Sequence, residues 1–143
     1  MRGFTLFEIL LSVALLTVIF GFSYILFGAL SYQNELFTST RSLQEMLRRA
    51  SLYASNGAGD SSWGVQLQES KAVLFKGTSF AGRDEAFDET VALQNIEVSG
   101  TTEYIFEKLF GVPQVSGDTT LASGAIDETR TITVNEKGAI SVE

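Results

Sequence analysis

From Ile9 to Asn34 the chain carries no charged residue, and Leu, Ile, Val, Phe and Ala dominate the run. A helix needs roughly 20 apolar residues to cross the hydrocarbon core of a bilayer. A segment of this length and hydropathy belongs in a membrane or in an equally apolar protein environment. One residue breaks the pattern: Glu8 stands one turn inside the apolar block, flanked by Phe7 and Ile9. A carboxylate in such surroundings is destabilised unless a cation meets it, and an ionisable group at that depth marks a functional site by default.

The helix predicted here does not stop with the apolar run. Leu36, Thr40, Leu43, Leu47, Ala50 and Ala54 recur at spacings of four and three, which is one face of a helix. Arg41, Gln44, Glu45, Arg48 and Arg49 occupy the opposite face, with Arg41/Glu45 and Glu45/Arg49 at the i,i+4 spacing that favours ion pairs. No proline interrupts residues 4–55. These features predict one helix of about 50 residues, near 75 Å long. Its first half is apolar all round, and its second half has a single stripe that needs a domain to lie against.

Asn56-Gly57 and the small polar residues to Ser62 end the helix. Strand grammar follows. Trp63, Val65 and Leu67 alternate with Gly64, Gln66 and Gln68, and after a turn at 69–71 comes a second strand over 72–77, predicting a hairpin with Trp63 in the core. Residues 81–89 hold Asp84, Glu85, Asp88 and Glu89 and read as an acidic connection: a solvated loop, a charged partner surface or an oxygen-rich calcium site. Residues 96–99 and 103–106 are expected to pair with each other, 111–127 to form a loop or edge strand, and 129–134 with 139–142 a closing hairpin that turns Ile132, Val134, Ile140 and Val142 inward.

The chain has no Cys and no His. Disulfides and thiolate metal sites are excluded, and the commonest general base is missing. Charge is segregated. The first 55 residues hold four arginines against three glutamates, and residues 56–143 hold 6 basic against 14 acidic groups, leaving them at −8 within a chain of net −7. An acidic domain repels phosphate backbones, which argues against nucleic acid as a partner.

The string Arg2-Gly3-Phe4-Thr5-Leu6-Phe7-Glu8 resembles the processing site of type IV pilins and pseudopilins. That resemblance implies cleavage by a prepilin peptidase between Gly3 and Phe4, N-methylation of Phe4, and a role for Glu8 in assembly as counter-ion to the new ammonium. Trp63-Gly64-Val65, Val73-Leu74-Phe75-Lys76-Gly77, Phe80 with Arg83-Asp84, and Thr90-Val91-Ala92-Leu93 are similar to the GspH/FimT-type minor pseudopilins. Many major pilins carry a proline where this chain has Ile25, and its one proline is Pro113.

The expected fold is therefore α+β and pilin-like. Residues 1–3 are the leader, 4–55 a long helix with a transmembrane segment at about 9–32, and 56–143 an extracytoplasmic β domain on an antiparallel sheet. Arg2 before the span and Glu35 after it orient the N-terminus to the cytoplasm. The resemblance implies a structural subunit of the inner membrane, with no enzymatic activity and no cofactor, assembled into a type II secretion pseudopilus or a type IV pilus. Its implied partners are other pilin or pseudopilin subunits, the peptidase, an inner-membrane assembly platform and lipid. Three alternatives stand beside it: a DNA-uptake minor pilin, a membrane-anchored calcium-binding module, and a secreted domain whose signal peptide ends near Ala29-Leu30-Ser31.

Overall fold

The computed structural model describes residues 5–143, and for residues 22–30 it describes their place in the helix but not their side chains. Helix α1 runs unbroken over Leu6–Ser55. Thr5 caps its start, its hydroxyl accepting from the Glu8 amide at 3.3 Å. At the far end the Asn56 amide donates to Leu52 at 3.0 Å, and Gly57 turns left-handed at φ 63° so that its amide reaches Ala54. The Asn-Gly stop thus works as its chemistry predicts, because glycine enters the left-handed region without a Cβ penalty.

Every residue of the predicted stripe is buried: Leu36, Thr40, Leu43, Leu47, Ala50 and Ala54, joined by Ser39 and Met46. Thr40 is tolerated there because its hydroxyl donates to the Leu36 carbonyl at 2.7 Å, so no polar group is left unsatisfied. Of the two predicted helix-surface pairs, Arg41–Glu45 is present at 3.9 Å between exposed side chains. Arg49 instead reaches off the helix to Glu89 at 2.6 Å. A partner held by the sheet replaces the one on its own helix.

Among the described residues eight strands form two four-stranded antiparallel sheets. They are β1 (Trp63–Gln68), β2 (Lys71–Lys76), β3 (Asp84–Ala92), β4 (Ile96–Gly100), β5 (Glu103–Phe106), β6 (Gly117–Ser123), β7 (Thr129–Val134) and β8 (Ile140–Val142). The first sheet runs β3-β2-β1-β5 and the second β4-β6-β7-β8. The predicted β1–β2 hairpin is present, with Trp63 opposite Lys76 and Gln68 opposite Lys71.

The sequence-based pairing of 96–99 with 103–106 is corrected: β4 pairs with β6 and β5 with β1, in different sheets. Gly100, at φ +91°, is the corner where the chain changes sheets, and a Cβ there would collide with the Asp118 carbonyl oxygen. Immediately after it, the Thr101 amide donates to Asp118 of β6, and the Thr102 carbonyl accepts from Leu67 of β1. Two consecutive residues therefore bond to two different sheets.

Residues 111–127, expected as a loop or edge, include the internal strand β6. Its Thr119 and Leu121 point inward, and both are buried. The polar Thr119 disguised the alternation, and its burial is licensed by hydrogen bonds: its Oγ1 donates to the Thr101 carbonyl at 2.6 Å and lies 2.8 Å from the Tyr104 hydroxyl. Helix α1 lies across both sheets, touching β1 and β5 of the first and β6, β7 and β8 of the second. Tyr104, Phe106, Leu74, Leu121 and Ile132 fill the space between, all at 0% exposure. Each such side chain contributes about 1.5–3 kcal/mol by leaving water.

Tyr104 ties the sheets together, since it sits on β5 and its single hydroxyl proton faces two acceptors of β6, Thr119 Oγ1 at 2.8 Å and the Gly117 carbonyl at 3.2 Å. Burial pushes its phenol above the ordinary 10.0. A raised folded-state value means that this stabilisation is complete below about pH 10 and is lost as pH rises through the folded value. Tyr104→Phe is expected to cost about 1 kcal/mol at neutral pH. The gap between variant and wild type should narrow above pH 10 in denaturant melts, and a pH-independent gap would show that the hydroxyl plays no such part.

Candidate functional site

Between residues 6 and 20 the helix is exposed around its whole circumference. Leu6, Phe7 and Phe20 are 79%, 75% and 70% exposed, and Ile9, Leu10, Leu11, Val13, Leu15, Leu16, Val18 and Ile19 are all more than half exposed. Its polar residues are made harmless locally: Ser12 donates to the Glu8 carbonyl and Thr17 to the Val13 carbonyl, each at 2.8 Å. Hydroxyls satisfied by the preceding turn leave an apolar cylinder. An apolar surface this extensive is a site of association.

Glu8 is the exception on that cylinder. Among the described residues no cation lies within ion-pair distance of its carboxylate. Gly3 and Phe4, the expected cleavage pair, lie outside the described residues. The spanning stretch expected at 9–32 includes 22–30, whose side chains are also outside, and among the described residues no helix is long and apolar enough to cross a membrane.

Thr5-Leu6-Phe7-Glu8 also matches the Thr-x-x-Glu pattern of a capping box, in which the acid at the third helical position supports the helix start. The structure contains the Thr5 half of that motif. The pattern was legible in the sequence. It supplies a second, purely local reason for an acid at position 8.

The acidic stretch is corrected from a connection to strand β3, the edge of the first sheet. Its carboxylates do not converge. Arg83 holds Asp88 at 2.8 Å and Glu85 at 3.4 Å, Lys76 holds Asp84 at 3.9 Å, and Arg49 holds Glu89. Among the described residues no group of three acidic, His or Cys side chains is placed to hold a metal ion. Between Asp84 and Glu89 the pairing with β2 shifts register, and three different cations draw the carboxylates apart.

Arg83 is the centre of this cluster. Besides its two carboxylates it donates to the Phe80 carbonyl at 3.0 Å and stacks over the Phe80 ring at 4.0 Å. Its side chain and that of Asp88 are each 20% exposed. Removing the guanidinium strands a mostly buried carboxylate, so Arg83→Ala is expected to cost about 1–3 kcal/mol in urea melts. A loss of a few tenths would mark the cluster as ordinary surface charge. The charged row also shields a nine-residue free edge from pairing with other strands.

On the other side of the domain a groove of about 220 Å³ brings Arg41 and Arg48 of the helix beside Arg130 of β7. Arg130 is far from the helix in sequence, so no spacing rule reveals this cluster.

No family model matches the chain, and no curated protein matches it. Among solved structures the chain is similar to the minor pseudopilin EpsH from the type 2 secretion system of Vibrio cholerae, with a TM-score of 0.59 and 13% sequence identity. The match covers 76% of this chain and 96% of that one. At that identity the likeness is one of fold.

Proposed function

We propose that the chain is a structural, non-enzymatic subunit of a pilin-like fibre, a minor pseudopilin acting in protein secretion. One observation carries the reading: a helix half exposed and apolar on every side, broken by the single carboxylate of Glu8, projects from a domain that shares the fold of EpsH. Apolar helices of this kind associate side by side, with the hydrophobic effect or lipid replacement supplying the drive.

Maturation is the second part of the proposal. A prepilin peptidase cuts between Gly3 and Phe4, Phe4 is N-methylated, and its ammonium pairs with Glu8 of the same chain or a neighbour. The uncharged run from Ile9 to Asn34 holds the subunit in the inner membrane, with residues 56–143 outside, until an assembly platform moves it into a type II pseudopilus or a type IV pilus. Support comes from the junction residues Arg2-Gly3-Phe4 and from Glu8 one turn later.

Intact mass and N-terminal sequencing of the membrane-extracted protein test this directly. The expected product begins at methyl-Phe4. A chain beginning at Met1 refutes processing, and one beginning near Tyr32 identifies a secretory signal instead.

A further inference from the structure

The groove between helix α1 and the outer edge of the second sheet is unusual for an acidic protein. Three guanidiniums, from Arg41, Arg48 and Arg130, line it together with Phe37 and Val142, and its one lining carboxylate is Glu45. Glu45 lies 3.9 Å from Arg41, a long contact between two exposed side chains that leaves most of the Arg41 guanidinium open. Arg48 and Arg130 make no ion pair among the described residues, in a chain with 17 acidic side chains against 10 basic ones. Elsewhere in the domain Arg49, Lys76, Arg83 and Lys108 are each matched to a carboxylate, while among the described residues the exposed Lys71 and Lys137 are not. Beside the arginines Phe37 is half exposed.

We infer that this groove docks an acidic helix of a neighbouring subunit, with carboxylates two turns apart on Arg41 and Arg48 and an apolar side chain one turn outside them on Phe37. The inference rests on reading the chain as an assembled subunit, and it names a partner chemistry for that assembly. Two magnitudes select the occupant. The volume lies below the roughly 300–1,000 Å³ of small-molecule pockets, so the groove suits side chains rather than a free ligand.

Arg41 and Arg48 are seven residues apart, about 10 Å along the axis, which matches positions i and i+7 on a second helix running alongside. Anionic lipid is a poorer fit. Arg48 stands about 21 Å beyond Asn34, where the uncharged run ends, whereas the headgroup layer is only about 5–8 Å thick. Complementary charge at such a rim sets register and rate of encounter.

The test uses the full chain in detergent micelles and a labelled synthetic helical peptide of about three heptads, carrying Glu at i and i+7 with Leu one turn outside them. The control peptide has Lys in place of Glu. The acidic peptide is expected to bind, more weakly as salt rises, while the Lys peptide does not. R41E/R48E should weaken binding by about tenfold or more, the neutral R41Q/R48Q by less, and R41K/R48K should retain most of it. Thermal melts of each variant exclude unfolding as the cause.

Equal binding of the two peptides overturns the proposal, as does unchanged binding by both the charge-reversed and the neutral variants. Tighter arginine-dependent binding to anionic phospholipid vesicles or to duplex DNA than to the peptide also overturns it. The same assay on Glu8→Gln separates the two readings, because that variant should keep peptide binding whether or not it enters fibres.

Discussion

Glu8→Gln should abolish incorporation into fibres while the β domain folds as before. Two roles compete for this carboxylate, and the substitution separates them. Glu8 follows Thr5 at the capping-box spacing, and the Thr5 hydroxyl already accepts from the Glu8 amide at 3.3 Å. A capping box works with Glu or Gln alike, and an acid in the first turn adds only about 0.3–1 kcal/mol through the helix dipole. The helix start therefore survives in the Gln variant.

Glutamine cannot neutralise an ammonium. In an apolar fibre core a stranded Phe4 charge costs several kcal/mol, and 1.4 kcal/mol is already tenfold in an equilibrium. Incorporation should thus fall by orders of magnitude, measured as the fraction of the variant in sheared fibres beside wild-type subunits. Circular dichroism and the thermal melt should be unchanged, since residues 6–20 contribute nothing to the core. If the Gln variant assembles at wild-type levels, Glu8 is a cap and the amine–carboxylate mechanism is refuted.

Most of the helix was legible from sequence because its determinants are local: a three-four spacing, an Asn-Gly stop and the lack of proline. All six stripe residues are buried. The β1–β2 hairpin was legible for the same reason, its strands being adjacent and its alternation clean. What escaped is non-local. Nothing near residues 96–106 announces that Gly100 changes sheets, because the deciding contact is with Asp118. Strand β6 escaped because Gly117, Asp118, Thr119 and Thr120 read as turn chemistry, and only the Tyr104–Thr119–Thr101 network explains a buried threonine there. In β3 the carboxylates masked a strand, since charge on an edge protects it from aggregation but looks like a loop in sequence. For the site, the apolar run and Glu8 stood out from the start, whereas the arginine groove depends on β7 returning to the helix.

Gly64→Val should destabilise the domain by about 3 kcal/mol, near the upper end of the range for overpacked interiors. Gly64 lies in β1 between Phe75 of β2 and Ile105 of β5, so it is enclosed by strands on both sides. A Cβ at this position would lie 2.5 Å from the Phe75 ring and 2.7 Å from the Tyr104 carbonyl oxygen, both inside contact distance. The ring fills the space that a side chain on residue 64 would take, as cross-strand aromatics do over glycine. Phe75 cannot simply turn away. It is 0% exposed, and its ring meets Phe80 edge-on at 5.5 Å, while Phe80 carries the Arg83 guanidinium on its face. The carbonyl is less yielding still, because Tyr104 is held by β1 on one side and by Thr119 on the other. Alanine at 64 meets the same two atoms with less bulk, so Gly64→Ala should cost less than Gly64→Val but more than the few tenths typical of surface sites. Urea melts of the three proteins give the order directly. A valine variant as stable as wild type would mean that the Phe75 ring has another place to go, and that the Trp63-Gly64-Val65 strand is not the rigid centre on which β2, β5 and the helix converge.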